Sequence, residues 1–380
     1  MPTQPCSPAS AMTPLPDRAP TPVRRPPNGA HALVVGASGI TGSALVDQLV
    51  TSGWRVSGLS RTAVAGSPAE HVSADLRSPE SLHAALADLR PTHVFFTAWS
   101  RQESEVENIR VNAGMVRDLL AVLGPQASVR HVALVTGLKH YLGPFEAYGQ
   151  GDVPDTPFLE DAERLDVDNF YYAQEDELFA AAAAYAFTWS VHRSHTVIGH
   201  AVGNAMNLAS TLMAYAGIQH RLGRPFVFPG SRAQWNGVVD LTDAGLLADH
   251  QIWAATTSEA ADTAFNVVNG DVVRWRRLWP RLAAHLGVEP EGPTDVPQPL
   301  EQQMAGADQV WADLVAEHGL VEPDLRRVAS WWHTDADLGR EMEVIADMTR
   351  SRLLGWTGYV STERALLGLV DRYRAERLVP

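Results

Sequence analysis

The chain has 380 residues, of which 45% are hydrophobic and 19% charged, and its formal net charge at pH 7 is -14. This acidic balance argues against partners such as nucleic acid or an anionic membrane, because neutralising phosphates needs clustered cations. No run of about 18 apolar residues predicts a membrane span, and the single cysteine, Cys6, excludes an intramolecular disulfide, so we expect a globular, enzyme-sized cytoplasmic protein.

Residues 1–29 differ from the rest of the chain, because they hold nine of the 25 prolines and show no hydrophobic periodicity. We predict a disordered Pro-rich tail. The segment lacks the continuous apolar core and small-residue cleavage site of a secretory signal. A transit peptide stays open as an alternative, since Arg18, Arg24 and Arg25 lie among serines and threonines.

From residue 31 onward, short apolar runs alternate with amphipathic stretches. The predicted strands are 31–35, 54–59, 94–97 and 129–135, and the predicted helices are 43–51, 80–89, 106–123 and 171–184. Repeated βα units predict an α/β fold with a Rossmann-type, doubly wound parallel sheet. We assign 30–200 to a dinucleotide-binding core. We assign 201–380 to a mostly helical substrate-binding region, with some segments returning to the core.

Three glycines, Gly36, Gly39 and Gly42, separate the first predicted strand from the first predicted helix. Glycines let the backbone turn tightly and approach a pyrophosphate at the positive end of the helix. The loop, which also contains Ser38 and Ile40, therefore predicts a dinucleotide site. Its spacing differs by one residue from the G-x-G-x-x-G pattern, and a glycine turn without a ligand is the alternative.

The end of the second predicted strand discriminates between nicotinamide cofactors. An acidic residue there binds the ribose hydroxyls of NAD, whereas an arginine accommodates the 2′-phosphate of NADP. The chain has Ser60 and Arg61 at this point, which favours NADP(H), with a surface arginine as the alternative. Asp75 and Leu76 are predicted to contact the adenine, although an acidic turn residue is an equal interpretation of Asp75.

Lysine and arginine together number 30, and only one of them, Lys139, is a lysine. Arginine stays charged and planar, whereas a lysine ammonium is a compact donor whose pKa is easily moved, so a single lysine indicates chemistry. Lys139 follows the strand predicted over 129–135, and carboxyl ends of parallel strands are where such sheets place ligands. The alternative is that Lys139 is a surface residue that replaced an arginine without any functional role.

Further cofactor contacts are predicted from Thr97, Ala98, Trp99, Val135 and Val197.

Longer stretches resemble one known family. They are a lysine motif over 136–146, a tyrosine motif over 169–176, and shorter landmarks at 189–193, 265–271 and 331–332. Together they resemble the progesterone 5-beta-reductase and iridoid synthase-like branch of the short-chain dehydrogenase/reductase superfamily, over residues 31–380. The Tyr-x-x-x-Lys pair of common members of that superfamily is absent. The chain also has Ser194 after Arg193, where the family usually has proline.

The resemblance implies NADPH-dependent reduction of an activated carbon–carbon double bond in an enone or enal. It implies Lys139 and Tyr171 as catalytic residues, with Tyr172 as the rival tyrosine. A small apolar substrate is expected, and the resemblance is compatible with a homodimer. The predicted substrate contacts are Trp99, Leu142, Phe145, Met206 and Trp356, the last of which matches a family position near the substrate.

The chemistry of enone reduction gives this pair of residues a physical role. Hydride arriving at the β-carbon pushes charge onto the carbonyl oxygen, so the transition state needs donors at a developing enolate. A phenol and an ammonium group meet that need, and one such donor contributes about 10² to 10³ in rate. Two other hypotheses stay open: a carbonyl reductase or epimerase using the same pair, and a nucleotide-sensing protein without catalysis. No metal site is predicted, since His192, His195 and His200 lack ligand spacing.

Overall fold

The computed structural model describes residues 25–64, 66–144, 154–201, 203–204, 206–296 and 298–380. Most of the predicted tail, and Phe145, lie outside the described residues. The strands are β1 (His31–Val35), β2 (Arg55–Ser60), β3 (Glu70–Ser73), β4 (His93–Phe96), β5 (His131–Gly137), β6 (Thr188–Ser194), β7 (Val197–Ile198), β8 (Phe226–Val227), β9 (Thr242–Asp243), β10 (Thr263–Val267) and β11 (Pro290–Glu291).

The helices separate these strands along most of the chain. They are α1 (Ile40–Thr51), α2 (Pro79–Leu86), α3 (Glu105–Leu123), α4 (Lys139–Leu142), α5 (Phe170–Tyr185), α6 (Leu208–Arg221), α7 (Arg232–Asn236), α8 (Ala244–Ala255), α9 (Trp275–Leu286), α10 (Leu300–Gln303), α11 (Asp308–His318), α12 (Trp331–Leu338), α13 (Thr349–Leu353) and α14 (Thr362–Ala375). The predicted elements of the first half are all present, with boundaries that differ by up to three residues.

Seven strands form one sheet in the order β10-β6-β5-β4-β1-β2-β3, and all of its pairs are parallel. The order reverses between β1 and β4, which is the point where a doubly wound sheet opens a crevice at its carboxyl edge. The predicted Rossmann-type fold is therefore confirmed. Because β10 pairs with β6, part of the chain after residue 200 lies in this sheet. The predicted boundary at residue 200 stays a prediction.

Helices cover both faces of the sheet. Leu33 and Val35 of β1 pack with α2, α3 and α5, whereas Ala32 and Val34 pack with α1 and α8. Alternate side chains of a strand point to opposite faces, so a strand covered on both sides is apolar throughout. All five residues of β1 are buried accordingly.

A second core lies in the C-terminal half, where α6 packs with α9, α11, α12 and α14. Eleven of the fourteen residues of α6 are buried, and its last two residues, His220 and Arg221, are exposed. Across the described residues, no helix combines the length and hydropathy that a membrane span needs.

Buried histidines form a hydrogen-bonded row inside the sheet. His131 shares a hydrogen bond with the Ser190 hydroxyl at 2.9 Å, and the same hydroxyl contacts Nε2 of His192 at 2.9 Å. Nδ1 of His192 lies 3.0 Å from Nδ1 of His250 on α8. Burial lowers the pKa of His131 to about 3 and that of His250 to about 3, and it lowers the pKa of His192 well below its usual value. The row is therefore neutral in the folded protein.

Candidate active site

The two predicted catalytic side chains lie at one junction, between the carboxyl end of β5 and the first turn of α5. The hydroxyl oxygen of Tyr171 lies 3.5 Å from the point that a Cβ atom on Gly137 would occupy. The ammonium nitrogen of Lys139 lies 5.5 Å from the ring centroid of Phe170, the residue before Tyr171. Lys139 is only 4% exposed, so its charge acts in a medium of low dielectric constant.

Gly137 is needed where β5 approaches β6. A Cβ atom at this position would lie 2.5 Å from the carbonyl oxygen of Ser194 on β6, closer than real side chains approach backbone. The glycine therefore allows β5 to pair with β6 up to its last residue. Gly137 lies in the lysine motif of residues 136–146, but its packing role is evident only from the structure.

The hydrogen bonds of Tyr172 distinguish the two tyrosines. Its hydroxyl donates to the carbonyl oxygen of His140 at 2.6 Å and accepts from the N–H of Leu165 at 3.1 Å. Burial raises the pKa of this phenol. Its hydroxyl thus joins two backbone segments, which is a structural task, whereas Tyr171 is half-buried and its hydroxyl lies near Gly137. Tyr171 therefore stays the predicted donor to a ligand.

Trp99 reaches the same junction from the end of β4. Its ring stacks on Phe170 with centroids 5.8 Å apart, and Phe170 packs on Tyr171 with centroids 4.4 Å apart. The loop that carries Trp99 is held by two buried asparagines of α3. Asn112 accepts from the N–H of Ser100 at 2.8 Å, and Asn108 accepts from the N–H of Gln102 at 2.8 Å. Our sequence reasoning missed this pair, although asparagines four residues apart on one helix face were a signal.

The glycine loop has the shape that a pyrophosphate needs. Gly36 has φ of +85°, and a Cβ atom there would lie 3.1 Å from Ala98. A Cβ atom on Gly42 would lie 2.1 Å from the carbonyl oxygen of Gly36, so α1 packs directly on the turn. Helix α1 begins after Gly39 without a side-chain cap, which leaves N–H groups of its first turn for an anion. These residues fit a dinucleotide.

At the end of β2, the Ser60 hydroxyl donates to the carbonyl oxygen of Thr62 at 2.8 Å, and Arg61 is exposed. Asp75 accepts from the backbone N–H of Arg77 at 3.0 Å and also pairs with its guanidinium. These bonds from Arg77 hold the pKa of Asp75 below its usual value. Asp75 is thus an ionised turn residue, and its contact with adenine stays a prediction. Leu76, beside it, packs at the margin of the sheet core.

The other predicted cofactor contacts lie around the same edge. The Thr97 hydroxyl donates to the carbonyl oxygen of Val35 at 2.8 Å, which fixes the end of β4 beside the glycine loop. Ile40 forms a small cluster with Ala244, and Val197 packs against it. Val135 lies near the end of β5, and Ser38 lies in the loop itself.

The predicted substrate contacts are less closely grouped. Leu142 packs against the C-terminal core from α4, and Met206 lies just before α6. Trp356 is buried, with its ring centroid 4.9 Å from that of His250 and 5.6 Å from that of Trp253. Its indole therefore packs between α8 and the sheet. None of these contacts is with a residue of the Lys139 junction. Phe145 lies outside the described residues.

A separate cavity of about 750 Å³ lies on the outer side of α5. Its lining includes His140, Arg164, Glu175, Arg193 and Arg350, and none of the predicted cofactor residues. We therefore place the candidate active site at the Lys139 junction, on the strength of its side-chain chemistry, and not at this cavity. In the described part of the chain, no three His, Cys, Asp or Glu residues cluster as metal ligands would.

Comparisons with known proteins agree with this architecture. A sequence profile of the PRISE-like Rossmann-fold domain matches residues 69–380. The chain is 38% identical over 362 residues to a 3-oxo-Delta(4,5)-steroid 5-beta-reductase of Arabidopsis thaliana, which covers 92% of this chain and 93% of that protein. It is 37% identical over 363 residues to an (S)-8-oxocitronellyl enol synthase of Camptotheca acuminata, with coverage of 92% and 93%.

Solved structures with the same architecture include a UDP-glucose 4-epimerase of Thermus thermophilus in complex with NAD. It superposes with a TM-score of 0.64 at 18% identity, covering 90% of this chain and 99% of that one. A UDP-glucose 4-epimerase of Thermotoga maritima with UDP-glucose gives a TM-score of 0.62 at 18% identity, covering 91% and 99%. At such identity the likeness shows the fold alone.

Proposed function

The chain belongs to the PRISE family of Rossmann-fold proteins, and from this premise we propose that it is an NADPH-dependent oxidoreductase that reduces the activated carbon–carbon double bond of enones and enals. The observation that carries the proposal is the junction at which Tyr171 and the chain's only lysine, Lys139, lie beside the carboxyl end of β5. The relative from Arabidopsis thaliana is named for a steroid whose double bond is conjugated with a 3-oxo group.

The protein's own residues bind and orient the substrate and polarise its carbonyl group. The nicotinamide cofactor, when bound, supplies the hydride. Tyr171 donates a hydrogen bond to the carbonyl oxygen of the substrate, and this bond strengthens as negative charge develops there. The buried ammonium of Lys139 stabilises the same charge, because burial reduces the screening of its field. The product of this step is an enolate, which then takes a proton from solvent water at its α-carbon to give the saturated carbonyl compound.

The proposal is tested by the products formed from NADPH and a panel of cyclic and acyclic enones. We expect oxidation of NADPH with formation of the saturated ketone. An allylic alcohol would instead identify a carbonyl reductase that uses the same pair of residues. Binding of NADPH without turnover on any enone would contradict an enzymatic role and favour a nucleotide-sensing protein.

Replacing Arg61 by alanine should weaken NADPH binding by at least about tenfold and leave NADH binding within about twofold. The guanidinium is proposed to bind the 2′-phosphate that only NADPH carries, and a hydrogen bond between charged groups contributes about 1.5 to 3 kcal/mol. Dissociation constants from fluorescence titration measure this difference.

The matched control is Arg55→Ala, which removes an exposed arginine at the end of β2 opposite to Arg61, one that pairs with Glu70 of β3. It should leave both dissociation constants unchanged. If Arg61→Ala weakens both cofactors equally, the assignment to the phosphate is wrong.

A further inference from the structure

The side-chain amide of Asn169 contacts the backbones of both proposed catalytic residues. Its Oδ1 accepts from the N–H of Tyr171 at 3.0 Å, which caps α5, and its Nδ2 donates to the carbonyl oxygen of Lys139 at 2.6 Å. The residue is only 3% exposed. One rigid, buried planar group therefore connects the turn that carries the lysine to the helix that carries the tyrosine.

We infer that Asn169 is a positioning residue that fixes the separation of Lys139 and Tyr171, an inference that rests on the proposed function. The two residues belong to α4 and α5, which are separate elements of the chain. Asn169 caps α5 and moves with it, so a shift of α5 relative to the lysine turn would break the hydrogen bond from Nδ2 to the Lys139 carbonyl oxygen. A displacement of about 1 Å costs a catalytic site about 10² in rate, so this constraint bears on turnover.

A second contact at the same helix end serves a different purpose. Glu105 accepts from the N–H of Phe170 at 2.7 Å and from Nδ2 of Asn108 at 3.0 Å. These bonds fasten α5 to α3. They leave the lysine turn untouched, so Glu105 does not set the spacing of the catalytic pair. The Asn169 side chain, in contrast, contacts the backbones of both proposed catalytic residues.

Two substitutions separate the capping role of Asn169 from the bridging role. Asn169→Ser keeps an oxygen that caps a helix well but loses the donor to the Lys139 carbonyl oxygen. Asn169→Ala loses both. We expect kcat to fall at least about tenfold in both variants, with KM and the NADPH dissociation constant within about threefold. The melting temperature should fall further in Asn169→Ala than in Asn169→Ser, because only alanine also removes the cap.

Ser231 offers a matched control in the C-terminal half. Its buried hydroxyl accepts from the N–H of Gln234 at 3.0 Å, which caps α7, and donates to the carbonyl oxygen of Arg340 at 2.6 Å. Ser231→Ala thus removes a helix cap and a hydrogen bond to a backbone carbonyl oxygen, as Asn169→Ala does, but in the C-terminal half of the chain. It should lower the melting temperature and leave kcat within about twofold. If Ser231→Ala and Asn169→Ala lose kcat equally, Asn169 has only a structural role and does not position the catalytic pair.

The chain's single lysine provides a readout that does not depend on turnover. Protein labelled with ¹³Cε-lysine gives one side-chain NMR signal, which belongs to Lys139. We expect Asn169→Ser to shift this signal and its titration, and Ser231→Ala to leave both in place. If Asn169→Ser changes neither the signal nor kcat, the inference is overturned. If the wild type reduces no enone, the proposed function fails, and the lysine signal alone then decides the role of Asn169.

Discussion

Replacing Tyr171 by phenylalanine should lower kcat for an enone at least about tenfold and change the dissociation constant of NADPH less than about twofold. The substitution removes only a hydroxyl that lies beside Gly137 at the Lys139 junction. An interaction made mainly in the transition state affects kcat and kcat/KM together, and donors of this kind contribute about 10² to 10³ in rate. Steady-state kinetics and a fluorescence titration of NADPH measure the two quantities.

Tyr172→Phe is the control for this experiment, because it removes the neighbouring hydroxyl of the same helix. That hydroxyl bonds the backbone of His140 and Leu165, so its loss should lower the melting temperature. Below that temperature, kcat should stay within about threefold of the wild type. A large loss of turnover in Tyr172→Phe together with normal turnover in Tyr171→Phe would reassign the donor.

The sheet and its ligand edge were predictable from the sequence because both depend on local patterns. A parallel strand covered on two faces is a continuous apolar run, as in β1, and the glycines that follow it mark the turn. The single lysine at the end of such a strand indicates the same edge of the sheet, and its catalytic role stays a prediction. The fold class followed from the repetition of these units, without any long-range information.

Contacts between distant segments could not be predicted in the same way. The bridge from Asn169 to Lys139 depends on a backbone carbonyl, which no side-chain pattern reveals. Helix α6 contains small and polar residues, yet its neighbours bury eleven of its fourteen residues. Trp356 matched a family position by its sequence, whereas its burial against Trp253 depends on how α8 packs on the sheet.

Lowering the pH from 7 to 5 should destabilise the folded protein substantially, because the row formed by His131, His192 and His250 must stay neutral in its buried site. Burial lowers the pKa of His131 to about 3 and that of His250 to about 3, whereas an unfolded histidine titrates near 6.5. The unfolded chain therefore binds more protons below pH 6.5. The stabilisation is fully present above that value and is lost as pH falls toward the folded pKa.

The expected loss is about 2 kcal/mol of unfolding free energy for each histidine of the row between pH 7 and 5. Glu160 and Glu175 oppose it, since burial raises the pKa of both carboxyl groups and their contribution has the opposite sign. The contribution of the three histidines to the pH dependence of the unfolding free energy exceeds that of the two carboxyl groups. Both carboxyl groups still accept hydrogen bonds that favour their ionised form, which limits the rise of their pKa. Urea unfolding at several pH values measures the slope.

His250→Gln isolates the contribution of the row, since glutamine keeps a donor and an acceptor near His192 but cannot take up a proton in this range. The free energy of unfolding should then fall less steeply between pH 7 and 5, by about one proton in the slope. The same substitution at the exposed His318 is the control. A slope that is unchanged in His250→Gln would mean that the row does not carry the acid sensitivity, because a buried neutral histidine must contribute to it.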